Sequence, residues 1–113
     1  MSVESLYHLV TEAILRAETL EDIGAPGTSA AFLEVSLLEE RIAEALPATD
    51  PEGALARRGA VRAALSARDF SRAKDLAERY LSESGITADQ INLLRSLSSA
   101  RSITNLPSSK IGH

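Results

Sequence analysis

Cysteine and tryptophan are absent from this 113-residue chain, and the aromatic residues number two Phe and two Tyr. Without cysteine there is no disulfide, thiolate nucleophile, zinc ribbon or iron–sulfur cluster. No apolar run approaches the roughly 18 residues that a membrane-spanning helix needs, so no membrane span is expected. The first ten residues, MSVESLYHLV, contain Glu4 and no basic cluster, which is not the pattern of a secretory signal. The expected location is therefore the cytoplasm. No glycine-rich loop ends in Gly-Lys-Ser/Thr to cradle a phosphate, and no Gly-x-Ser-x-Gly turn follows a strand pattern.

Ala, Leu, Ser, Glu and Arg dominate what is present, and β-branched residues are few, which favours helix throughout. The spacing predicts an all-α fold of five helices, a single domain over residues 1–101. The first helix covers about 3–22, with Val3, Leu6, Val10, Ala13, Ala17 and Leu20 at alternating three- and four-residue steps. Gly24 and Pro26 stop it. The second covers about 29–46, capped by Thr28 or Ser29, with Ala31, Val35, Leu38, Ile42 and Ala45 as its stripe. Asp50-Pro51-Glu52 reads as N-cap, first-turn proline and first-turn acid for a third helix over 51–67. Its alanines let another helix approach closely, while Gly53 and Gly59 each weaken it by ~1 kcal/mol relative to Ala. Asp69 caps a fourth helix over 70–84, whose inner face is Phe70, Ala73, Leu76, Ala77, Tyr80 and Leu81. Gly85 ends it, and Thr87 with Gln90 forms a capping box for a fifth over 88–101. Residues 102–113 have no helical period and are expected to be a tail, disordered or docked. Helices 1–2 and 3–4 are expected to form antiparallel hairpins, with the fifth closing a small bundle.

The net charge of −4 is unevenly distributed. Residues 1–56 hold eleven acids against Arg16 and Arg41, and residues 57–113 hold ten bases against five acids. Complementary halves point to packing on each other, within one chain or between two copies.

Few side chains could carry chemistry. His8 stands between Glu4 and Glu12 at four-residue spacing, on the side of its helix opposite the apolar stripe, as a solvated histidine does. His113 is the final residue. The carboxylate pairs Glu21-Asp22 and Glu39-Glu40 are sequence neighbours, which point in different directions on a helix. No catalytic residue, metal ligand or cofactor site is assigned, and an enzyme is not expected.

Two stretches resemble known families. Ala63–Leu81, with Phe70 and Ala73 at the aromatic and small positions, is similar to the junction and second helix of a tetratricopeptide repeat, which implies a helical hairpin there. Arg57 stands where that repeat often has Trp, Tyr80 where it has Ala, and no second copy follows at 34 residues. Leu81–Thr87, followed by Ile91 and Leu94, resembles the turn of a helix-turn-helix, which implies DNA contact through Asn92 and Arg95. Residues 70–101 hold five bases and four acids, nearly neutral where phosphate binding needs positive charge, so nucleic acid is the less favoured partner.

The leading expectation is a non-enzymatic helical protein–protein interaction module, an adaptor, regulator or structural subunit. Leu33 and Leu37 lie off the second helix's main stripe and are expected to form a second packing face for a homodimer. Arg58 and Arg62, one turn apart, are the candidate surface for an anionic partner. The alternative is a DNA-binding regulator using residues 70–101.

Overall fold

The computed structural model describes residues 1–83 and 85–97. Four helices follow in order, α1 (Val3–Asp22), α2 (Thr28–Ala45), α3 (Pro51–Ser66) and α4 (Phe70–Leu81). Helical backbone over 88–97 forms a fifth, α5, and no strand occurs among the described residues. The expected all-α fold of antiparallel helical hairpins is what the chain adopts. The expected tail, 102–113, and the last residues of the fifth helix lie outside the described residues.

Local sequence explains most helix ends. Ser2 caps α1, its Oγ accepting from the Ser5 N–H at 3.1 Å. Gly24 takes a left-handed φ of 64° after the last turn, and the Ala25 N–H reaches back to the Leu20 carbonyl at 2.9 Å. Asp50 and Asp69 cap α3 and α4 as expected, accepting from Glu52 N–H at 2.8 Å and Arg72 N–H at 3.1 Å.

Three ends differ from the sequence reading. The cap of α2 is Gly27 at φ 91°, and no side chain bonds the first turn. The chain enters α2 through a left-handed residue, which glycine adopts without the steric cost that Thr or Ser would meet. Thr28 is instead the first helical residue, and its hydroxyl donates back to the Ala25 carbonyl at 2.8 Å. Next, α4 ends at Leu81, because the Ser82 backbone and hydroxyl both turn back to the Arg79 carbonyl. Finally, half of the capping box forms. Thr87 accepts from Gln90 N–H at 3.2 Å, but the Gln90 side chain donates to the Ala48 carbonyl, tying α5 to the α2–α3 connection.

The core is built from small and aliphatic side chains. Leu6, Val10, Ala13 and Ala17 of α1 pack against the Ala31, Val35 and Ile42 side of α2. The alanine-rich face of α3 lies against α2 and then α4, which adds Ala73, Leu76, Ala77 and Tyr80. Leu94 of α5 is fully buried in the same cluster. Packing follows chain order, α1 on α2, α2 on α3 and α3 on α4. Although α1 and α3 both lie against α2, no Cα of one comes within 8 Å of a Cα of the other. This leaves a groove whose floor is α2.

The two glycines of α3 have packing reasons. A Cβ at Gly53 would overlap the Pro47 carbonyl oxygen and stand 3.1 Å from the Leu46 Cβ. A Cβ at Gly59 would overlap the Glu39 carboxylate. Arg57 is only 4% exposed, an exception in an alanine-lined face. Its guanidinium donates to Glu83 through Nε (2.6 Å) and Nη2 (3.2 Å), and through Nη1 to the carbonyls of Gly53 (2.9 Å) and Leu46 (3.0 Å). It also lies 5.5 Å from the Tyr80 ring centroid. Four of the five N–H directions of the fork are used, which meets most of what a buried charge requires.

Candidate interaction surfaces

Two concave features flank α2. The first is a cleft of about 510 Å³ on the α4 side, lined by Glu40, Asp69, Ser71, Arg72, Asp75, Leu76 and Arg79. Ser36, fully buried, donates from Oγ to the Ala60 carbonyl at 2.7 Å and accepts from Arg72 Nε at 3.0 Å. Arg72 Nη2 then reaches Glu40 Oε1 at 2.6 Å, and Arg79 Nη2 reaches Glu40 Oε2 at 2.5 Å. Burial alone would raise the Glu40 carboxyl, but the hydrogen bonds from Arg79 and Arg72 outweigh it, and its pKa is lowered. One carboxylate thus bridges two guanidinium groups, and this part of the wall is polar and hydrogen-bonded within the chain. Here the acidic first half and the basic second half meet.

Leu33 and Leu37 precede Glu40 at i−7 and i−3, so the three follow one ridge of α2 at helical spacing. Leu33 is half-buried and Leu37 is 46% exposed. The ridge is apolar beside a cleft in which Arg72 and Arg79 are held by Glu40.

The second feature is the groove between α1 and α3, about 360 Å³, lined by Ile14, Glu18 and Glu21 from α1, Phe32, Val35 and Glu39 from α2, and Gly59, Arg62, Ala63 and Ser66 from α3. Glu39 sits at its floor, half-buried, without a hydrogen bond or ion pair to any described residue. Desolvation pushes its carboxyl up to about 7. The absence of a side chain at Gly59 is what makes room for it.

The basic segment divides. Arg57 and Arg72 are held in ion pairs, and Arg68 stacks 5.8 Å from the Phe70 ring centroid. Arg58, half-buried, and Arg62, exposed, make no hydrogen bond or ion pair with a described residue. They share the outer face of α3 with Leu55, which is 56% exposed. Asn92 and Arg95 are exposed on α5, and the intervening Leu94 faces the core. His8 is exposed, in an open depression of about 500 Å³ with Met1, Glu4, Ser5 and Leu9. Among the described residues no three His, Asp or Glu side chains converge on a position that could hold a metal ion, and no helix is long and apolar enough to cross a membrane.

Sequence reasoning missed Ser36, Glu39 and Arg57. The signal was positional. Glu39 lies four residues after Val35 and three before Ile42, and Arg57 lies four after Gly53 and three before Ala60, so both fall on inner faces despite their charge.

No protein family model matches the chain, and no curated protein or solved structure is detectably similar to it.

Proposed function

We propose that the protein is a non-enzymatic helical interaction module that self-associates through α2 and the α2–α4 cleft. The observation that carries this reading is the juxtaposition of an apolar ridge, Leu33 and Leu37, with a cleft lined by buried Leu76, in whose wall Arg72 and Arg79 are both paired to Glu40. A ridge next to a recess on one face is self-complementary under a two-fold axis, where the ridge of each copy enters the recess of the other. Pre-paired charges lower the desolvation cost of covering such a face, because Glu40 keeps both partners when water leaves. Arg58 and Arg62, with no hydrogen bond or ion pair to a described residue, are a second surface suited to an anionic partner.

The test is molar mass in solution at low and high salt, by light scattering behind a sizing column. A dimer that persists at high salt and becomes a monomer in Leu33→Glu/Leu37→Glu supports the reading. A monomer at both salt concentrations overturns self-association. A monomer that shifts duplex DNA at low salt, and loses the shift in Asn92→Ala/Arg95→Ala, would place the protein among DNA-binding regulators instead.

A further inference from the structure

The groove between α1 and α3 combines acidic and apolar walls. Its walls and floor bring three carboxylates, Glu18, Glu21 and Glu39, together with one cation, Arg62. Ile14, Phe32 and Val35 give it an apolar floor and side. Glu39 has been taken partly out of water and given no donor in return, which is unfavourable unless a cation arrives from elsewhere. An occupant that suits the groove supplies branched apolar side chains, at least one cation and no acid.

The chain itself contains such a segment. Residues 98–113, SSARSITNLPSSKIGH, carry Arg101 and Lys110, the apolar Ile103, Leu106 and Ile111, and no Asp or Glu. Sixteen residues extend to ~50 Å, against 49 Å for the longest dimension of the molecule. A segment of that length is comparable to the molecule's longest dimension.

We propose that residues 98–113 dock in the α1–α3 groove of their own molecule, with their leucine and isoleucines against Ile14 and Phe32 and one of their two cations on Glu39. The charges match in number, two net negative in the groove and two positive in the segment. A cation seated on Glu39 favours the ionised form that this match requires. The groups that face it as this happens are Tyr7, Glu18 and Glu21 from α1 and Arg62 from α3.

The absence of cysteine makes a direct test possible in the full-length chain. A nitroxide is attached to Ser109→Cys, and the broadening of backbone amides is read by NMR against a diamagnetic label. The expected result is strong broadening at Ile14, Phe32 and Arg62, with the outer face of α4 unaffected. Arg101→Glu/Lys110→Glu should reduce that broadening several-fold, as should high salt. Uniform weak broadening, or broadening centred on another face, would overturn the proposal. A mixture of spin-labelled, isotope-free copies with unlabelled, isotope-enriched copies separates the remaining outcome. Groove broadening in the mixture, scaling with the fraction of spin-labelled copies, would mean that the segment of a second copy fills the groove, and would also overturn docking within one molecule; its absence there is what docking within one molecule requires.

Discussion

Gly53 and Gly59 stand six residues apart in the same helix, and Ala substitution should move stability in opposite directions at the two sites. Each exchange recovers helix propensity, up to ~1 kcal/mol in a helix interior. At Gly59 the new methyl meets the tip of Glu39, the far end of a flexible side chain, which can swing aside together with any cation paired to it. The gain should survive, so Gly59→Ala is expected to stabilise by about 0.5–1 kcal/mol. At Gly53 the methyl meets the Pro47 carbonyl, which is backbone. That carbonyl also accepts the Asp50 N–H at 3.1 Å, so moving it disturbs the turn that launches α3. Overpacking costs roughly 1–3 kcal/mol and a weakened hydrogen bond about 1 kcal/mol. Less the propensity gain, Gly53→Ala should destabilise by about 1–3 kcal/mol. For a domain of this size each kcal/mol moves Tm by roughly 4–8 °C. Thermal unfolding followed by far-UV circular dichroism should show Gly59→Ala melting a few degrees above the native chain and Gly53→Ala well below it. Equal shifts of the same sign in both variants would refute the packing argument and leave propensity alone as the explanation.

Other expectations follow from single side chains. Arg68 holds a left-handed φ of 62° between α3 and α4, where a non-glycine residue costs roughly 1 kcal/mol; Arg68→Gly should raise the urea midpoint by an equivalent amount, less whatever its contact with Phe70 contributes. Arg57→Met should cost about 2–3 kcal/mol in the same urea assay, below the full penalty for breaking a buried pair, because Glu83, 31% exposed, can turn to water. Glu39→Gln should show a pH-dependent effect, best measured in a chain carrying Arg101→Gln and Lys110→Gln. With a folded pKa of about 7 against an ordinary 4.5, the native carboxyl is fully tolerated below pH 4.5 and stability falls as pH rises through 7. After allowance for its contact with solvent, the glutamine variant should be more stable by roughly 2 kcal/mol at pH 8 and equal at pH 4; a constant difference across that range would rule out titration as the cause.

Much of this architecture was legible because its determinants are local. Asp50 and Asp69 announce their helices by residue type alone, and the inner face of α4 can be read from a 3.6-residue period. What escaped depends on residues distant in sequence. Gly27 takes the cap of α2 from Thr28 because the preceding turn delivers the chain in a left-handed conformation, which a local preference for Ser and Thr does not register. Arg57 occupies an inner position, yet only the arrival of Glu83 and two carbonyls makes its burial tolerable. Glu39 sits in the groove because α3 offers a glycine twenty residues later. Of the candidate surfaces, Arg58 and Arg62 could be found from spacing, as could Leu33 and Leu37. The groove could not, since it exists only through the separation of α1 from α3.

That separation also bears on how the molecule comes apart. With each helix resting on its sequence neighbour, most native contacts close short loops, an arrangement that folds quickly. It also means that, among helices α1–α4, α1 packs its backbone on α2 alone, with a Tyr7–Glu52 side-chain contact to α3. Opening the α1–α2 hairpin at the 23–27 connection would expose one apolar stripe and leave the α2–α3–α4 packing in place. Amides of α1 should therefore exchange with solvent before those of α3, and the groove is the seam along which the protein first unzips.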